Sequence, residues 1–211
     1  MYIQIKNIHT EDIAMNSRPK VRHWSEFDDR AKRVISMMLG CKENMIYVSL
    51  TNDDNARVEN FVNHKVVEKM KEGIHQKDNN QEHKRSTTGQ SGELAVEKHF
   101  GIPFTEWTVG HSKKYAHADL ALTGYNLGVK CATLGNTPLV SKYPKRAEII
   151  CIKYDDNTVI ICGIATQEML KKYCDESYRK DPKASHKTAF IGFEHLLPCR
   201  TLEDLEPFKI N

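Results

Sequence analysis

The N-terminal part of the chain shows helical periodicity. Apolar residues recur every three or four positions in segments 28–39 and 58–74, which predicts two amphipathic helices. A short apolar run at 45–50 lies between them and predicts a strand, as does the alternating segment 1–6. These patterns predict an α-rich N-terminal region.

The C-terminal part of the chain carries shorter apolar runs. Segments 118–122 and 127–132 flank the turn-forming residues 123–126, which predicts a β-hairpin. Segments 148–153 and 158–164 are apolar at almost every position, as is typical of strands that are covered on both faces. The C-terminal part is therefore predicted to contain four strands.

Two helices are predicted to enclose these strands. Ser91 is a suitable N-cap for a helix that ends at 100, and Thr166 is suitable for one that ends at 173. Segment 76–89 is polar throughout, which predicts a loop between an N-terminal region 1–86 and a core 87–211. The order of helix, four strands and helix predicts an α/β fold with a mixed sheet.

Composition excludes several classes of protein. The chain has 211 residues, of which 39% are hydrophobic and 28% charged, and this balance is globular and not disordered. It has no apolar run of about 20 residues that could span a membrane, and its first residues do not resemble a secretory signal. We therefore expect a cytoplasmic protein whose six cysteines are mostly buried thiols. The net charge of +3 permits a nucleic-acid partner but does not demand one.

Charged residues interrupt the predicted hairpin. Asp119 and Lys130 lie within apolar runs, and buried residues of these types are rare unless they are paired or coordinate a ligand. Glu93 and Glu97 lie one turn apart on the preceding helix, which can direct Glu93 towards Asp119. Converging carboxylates beside a lysine suit a divalent metal that supports phosphodiester hydrolysis. A structural ion pair between Asp119 and Lys130 remains the alternative.

The ordered set of residues resembles the PD-(D/E)xK nuclease superfamily over residues 87–175. The resemblance is carried by Glu93 in Gly-Glu-Leu-Ala-Val, Asp119 in His-Ala-Asp-Leu-Ala-Leu, Lys130 in Leu-Gly-Val-Lys-Cys-Ala, and the strand-to-helix segment 159–168. It implies a restriction-endonuclease-like core, in which a mixed sheet of four to five strands is flanked by helices. It also implies a metal-dependent endodeoxyribonuclease that acts on duplex or branched DNA, in many relatives as a homodimer.

The resemblance assigns roles to three residues. Glu93 and Asp119 would bind Mg²⁺, with Mn²⁺ as a possible substitute, and Lys130 would assist the chemistry. The second acidic residue of the family motif precedes the lysine by two positions, where this chain has Gly128. Glu93 is the first substitute for the missing acid, followed by Glu97 and Glu148.

Two further functions remain open because of Gly128. If no carboxylate replaces the missing acid, the protein is a nucleic-acid-binding module without catalytic activity on the same fold. If the ion pair is purely structural, the protein is an interaction or inhibitor protein that binds no nucleic acid. In the nuclease interpretation, the N-terminal region shapes substrate choice or forms a dimer.

Basic residues around the predicted site are candidates for DNA contact. The predicted DNA-binding residues are Lys113, Lys114, Lys142, Lys145 and Arg146. Additional basic stretches occur at 18–23 and 84–85. A run of charge is more often only a solvated face, so their position beside the site carries the prediction.

Overall fold

The structure is a computed structural model that describes residues 23–71, 79–107, 118–178 and 186–210. The predicted strand at 1–6 lies outside these ranges. Within them, no helix combines the length and the apolar character needed to cross a membrane.

The described chain forms four helices and seven strands. The helices are α1 (Asp29–Met38), α2 (Asn52–Lys71), α3 (Asn79–Phe100) and α4 (Gln167–Lys172). The strands are β1 (Ile46–Ser49), β2 (Leu127–Thr133), β3 (Leu139–Ser141), β4 (Ala147–Lys153), β5 (Thr158–Ala165), β6 (Cys174–Asp175) and β7 (Lys187–Phe190). Short 3₁₀ turns connect several of them.

The main sheet has the strand order β1-β5-β4-β2. β2 runs parallel to β4, whereas β5 runs antiparallel to both β4 and β1, so the sheet is mixed as predicted for an α/β fold. A second sheet has the order β3-β7-β6. β1, from the N-terminal part of the chain, thus completes the same sheet as β2, which lies at the opposite edge.

Local sequence explains the helix starts. Asp28 caps α1 because its Oδ1 accepts a hydrogen bond of 2.7 Å from the N–H of Ala31. Thr51 and Asp54 cap α2 reciprocally, with each side chain accepting from the backbone N–H of the other. Thr166 caps α4 as predicted, with its side chain accepting from the N–H of Met169.

The centre of the sheet is apolar on both faces. All eight residues of β5 are buried, as are all residues of β4 except Lys153. One face packs against α2 and α3 through residues such as Val58 and Leu94, and the other against α1 and α4 through Met38 and Leu170. This confirms the two predicted central strands.

The predicted loop at 76–89 is wrong over its described part, because α3 begins at Asn79. Two contacts fix this first half of α3 on α2: Nε2 of His83 lies 3.0 Å from Oδ1 of Asn63 and 3.1 Å from Oε1 of Glu59. Gln, Glu, Lys and Arg are good helix formers, and packing on α2 stabilises a helix that has no apolar stripe. The start predicted at Ser91 is therefore also wrong, and the boundary at residue 86 falls inside α3.

The predicted strand at 118–122 is also wrong. Asp119 and Leu120 form a turn that continues into a 3₁₀ helix at Ala121–Thr123, and the side chain of Leu122 is 87% exposed. Gly124 ends the helix with a φ of +87°, a conformation that favours glycine. The apolar run 118–122 resembles a strand in sequence, but of its two leucines only Leu120 enters the core.

All six cysteines are free thiols, as predicted. Four are buried and two are partly buried. Burial raises the pKa of Cys151, and a side-chain hydrogen bond with Cys41, together with burial, raises the pKa of Cys162. They act as small apolar core residues.

Candidate functional site

Asp119 lies at the outer edge of β2. Its Oδ2 accepts a hydrogen bond of 2.6 Å from the backbone N–H of Val129. The N–H of Leu120 donates to the carbonyl of Leu127 at 3.0 Å, which fixes the turn against the same edge. Although segment 118–122 is not a strand, these two bonds place Asp119 beside β2, as the hairpin prediction required.

Glu93 reaches the site because α3 packs very closely on β2. At Gly92, a Cβ would lie 2.5 Å from Cβ of Cys131 and 3.7 Å from Cγ1 of Val129, so only glycine permits this approach. Burial, together with the negative charge of Asp119, raises the pKa of Glu93 to about 7. The structure thus brings Glu93 and Asp119 together at one place.

Lysine charges oppose this shift. The charges of Lys65 on α2 and Lys130 on β2 both favour the ionised form of Glu93. Nζ of Lys65 lies 5.6 Å from the centre of the Phe61 ring, on the side of α2 that packs on the core. The site therefore combines charges from α2, α3, β2 and the turn at Asp119.

Glu148 occupies the space beside Gly128. These two residues are direct partners in the parallel register of β2 and β4. A Cβ at Gly128 would overlap Oε2 of Glu148 and would lie 2.8 Å from its Cδ and 2.9 Å from Nε of Arg146. A carboxylate from the neighbouring strand thus occupies the space that a side chain at position 128 would enter.

Glu148 is held between two cations. Its Oε2 lies 3.2 Å from Nζ of Lys130, and its Oε1 lies 3.6 Å from Nε of Arg146. Burial raises the pKa of Glu148, while the charges of Lys130 and Arg146 act in the opposite direction. Within the described ranges, Oε2 of Glu148 and Nε of Arg146 are buried without a hydrogen bond of good geometry. Lys130 therefore pairs with Glu148 and not, as the structural alternative expected, with Asp119.

Glu97 serves a different purpose. Its Oε2 accepts hydrogen bonds from the N–H groups of Phe104 and Thr105, at 3.0 and 2.8 Å. These bonds fix the segment that follows α3. Of the three substitutes for the missing acid, Glu148 is the one that the structure places against Gly128.

The donor chemistry of the site suits a hard cation. Glu93, Asp119 and Glu148 offer carboxylate oxygens, which Mg²⁺ and Mn²⁺ prefer, and the nearest cation to Oε2 of Glu148 is Nζ of Lys130, at 3.2 Å. Among the described residues, no group of three or more His, Cys, Asp or Glu side chains is arranged so that it could hold a metal ion. The residue types suit the ion, but in this structure the group next to Oε2 of Glu148 is the ammonium of Lys130.

The predicted DNA-binding residues have different surroundings. Lys142 forms an ion pair with Glu176, Arg146 faces Glu148, and Lys145 is exposed. Lys113 and Lys114 lie outside the described residues. Of the three members that the structure describes, Arg146 is the one in contact with a carboxylate of the site.

Two lysines near the site were missed in the sequence. Lys65 is one of many polar residues on α2, and no spacing distinguishes it. Lys187 begins β7, and its charge interacts with those of Lys130 and Arg85. Segment 187–190 does not alternate between polar and apolar residues, and the approach of Lys187 to Lys130 depends on contacts distant in sequence.

Comparisons of the chain with protein-family models, curated proteins and solved structures found no match.

Proposed function

We propose that this protein is a Mg²⁺-dependent nuclease of the PD-(D/E)xK type that cuts DNA. The observation that carries the proposal is the position of Glu148, whose carboxylate fills the space next to Gly128 and contacts Lys130. Gly128 is where the sequence departs from the family motif, and the structure provides a carboxylate at that position from β4.

The residues would divide the chemistry as follows. Glu93, Asp119 and Glu148 would hold the ion, which would lower the pKa of the attacking water and polarise the phosphate. Lys130 would orient that water and stabilise the negative charge that develops on the phosphate. The raised pKa of Glu93 means that it must lose a proton before it binds metal near neutral pH.

The primary test is cleavage of supercoiled and linear plasmid with Mg²⁺ or Mn²⁺. We expect Asp119→Ala and Lys130→Ala each to lower the rate at least about 100-fold, because each removes a group that acts on the reacting phosphate. Lys42→Gln is the matched control, since Lys42 is 69% exposed and precedes β1 at the opposite edge of the sheet. Cleavage that survives both site substitutions would show that this site does not cut DNA.

Moving the carboxylate from β4 to β2 by mutation tests the role of Glu148 directly. Glu148→Ala should abolish cleavage, and adding Gly128→Asp should restore part of it, because the first change clears the space that the new side chain enters. Gly128→Asp alone should be inactive, since its side chain would overlap Glu148. The control is Glu148→Ala with Gly128→Ala, and equal rates in the two double variants would refute the substitution of Glu148 for the missing acid.

A non-catalytic DNA-binding module is the second candidate. It is favoured by the ion pair of Lys130 with Glu148 and by the lack of a three-ligand group in the described ranges. This candidate predicts salt-sensitive DNA binding without cleavage of duplex, branched or single-stranded substrates in either metal.

A further inference from the structure

Helix α3 has an open position at Gly89, between the side chains of Arg85 and Glu93. Arg85, Gly89 and Glu93 follow one another at four-residue intervals, so they line one side of the helix over about 12 Å. Among the described residues, no heavy atom would lie within 4 Å of a Cβ at Gly89. Gly92, in contrast, is required by the close packing of α3 on β2. A glycine within a helix costs about 1 kcal/mol relative to alanine. Among the described residues, no close packing at Gly89 explains this cost.

A cluster of cations adjoins this opening. Arg85 on α3, Lys130 on β2 and Lys187 at the start of β7 come from three elements, and Lys187 is paired in register with Ser141 of β3. Burial and the charges of Lys130 and Arg85 lower the pKa of Lys187. The charge of Lys187 therefore interacts with the charges of both Lys130 and Arg85, so the three cations share one neighbourhood.

Glu148 lies between Lys130 and Arg146, but the other two carboxylates of the site lie away from Arg85. The carboxylates of Glu93 and Asp119 lie at one end of the line along α3 and Arg85 lies at the other, while the charge of Lys130 acts on both Glu93 and Lys187. A single small anion would need only one of these cations. A phosphodiester strand has regularly spaced charges and matches a row of cations that leads away from a hydrolytic centre.

We propose that the backbone of the cut DNA strand crosses α3 at Gly89, and that Arg85 and Lys187 bind the phosphates adjacent to the one that Lys130 faces. This inference rests on the proposed function, since it names the path of the substrate through the same site. It assigns the second sheet a role in binding, because β7 supplies Lys187.

The test is equilibrium binding of a fluorescently labelled DNA duplex in EDTA, at several salt concentrations, measured by anisotropy. The double variant Arg85→Gln/Lys187→Gln should bind at least tenfold more weakly at low salt. Its dependence of log affinity on log salt should be flatter by about one to two units, as expected for the loss of two phosphate contacts. Lys42→Gln is the matched single-charge control and should change affinity less than twofold.

A variant that adds bulk without changing charge tests the path of the DNA strand independently of the cations. Gly89→Leu should fill the opening and raise helix propensity, so it should weaken DNA binding while the thermal midpoint is maintained or raised. Its salt dependence should remain that of the wild type, because it removes no cation. Binding of Gly89→Leu equal to that of the wild type would refute the path over α3.

The outcomes also separate this inference from the proposed function. If the wild type cuts DNA but Lys187→Gln binds no more weakly than Lys42→Gln, the phosphate contacts are wrong and the nuclease stands. If Arg85 and Lys187 are needed for binding but no metal supports cleavage, the contacts stand and the nuclease fails. If the wild type does not bind the duplex in EDTA, the inference is overturned.

Discussion

The middle of the main sheet and the outer edge of β2 are built on opposite principles. β5 buries all eight of its residues, and none carries a charge. At the edge, Gly128 leaves space for the buried Glu148, Lys130 is partly buried, and Glu93 has its pKa raised to about 7. The comparison indicates that stability is concentrated in the middle, while the edge retains costly charges, as is common where a protein binds or reacts.

A substitution in the middle should have the largest effect on stability. Ile160 is fully buried between β1 and β4, so Ile160→Ala should lower the free energy of unfolding by about 2–5 kcal/mol. Urea denaturation measures this loss. The folded fraction should keep its DNA affinity, because Ile160 contributes no group to the edge. If the DNA affinity of the folded fraction falls, the two regions are coupled.

The same contrast explains what the sequence could predict. The two central strands were predicted almost to the residue because burial on both faces leaves apolar residues at almost every position of 148–153 and 158–164. The partners of β2 could not be predicted, since strand order depends on contacts distant in sequence. β1 therefore appeared as part of a separate region, although it pairs with β5 in the main sheet.

The edge was partly predictable for a different reason. Asp119, Lys130 and Glu93 were conspicuous as charges within or beside apolar segments, and the structure gathers them. Glu148 was one of three possible substitutes, and only the register of β2 with β4 distinguishes it. Lys187 left no signal, because it approaches the site from a second sheet.

The contact of α3 with β2 links the two regions and should show a moderate effect. Gly92→Ala would place a methyl group 2.5 Å from Cβ of Cys131, so we expect a loss of about 1–3 kcal/mol in unfolding free energy. Cleavage by the folded protein should also fall, since Glu93 moves with the helix. Gly89→Ala is the matched control and should be stabilising by up to about 1 kcal/mol. Equal stability of the two variants would contradict the close packing.

The ionisation of Glu93 should produce a smaller, pH-dependent effect. The folded state holds this proton up to about pH 7, whereas the ordinary pKa of the carboxyl is 4.5, so stability is highest at low pH within this window and falls as pH rises through it. The full shift is an upper bound for a half-buried group, and we expect about 1–2 kcal/mol between pH 5 and pH 8. Urea denaturation in EDTA should show a flatter profile for Glu93→Gln, whereas exposed Glu168→Gln should follow the wild type.

The smallest effect should come from Leu122, and it decides how the outer edge of β2 is built. If segment 118–122 were a strand, Leu122 and Leu120 would point to the same side, and truncating either would open a cavity that costs about 2–5 kcal/mol. In the 3₁₀ turn, Leu120 is fully buried and Leu122 is 87% exposed. Leu122→Ser should therefore change the unfolding free energy by less than about 0.5 kcal/mol, while Leu120→Ala should carry the full cost. Similar losses in both variants would show that segment 118–122 is a strand, and Asp119 would then lie on a hairpin and not in a turn.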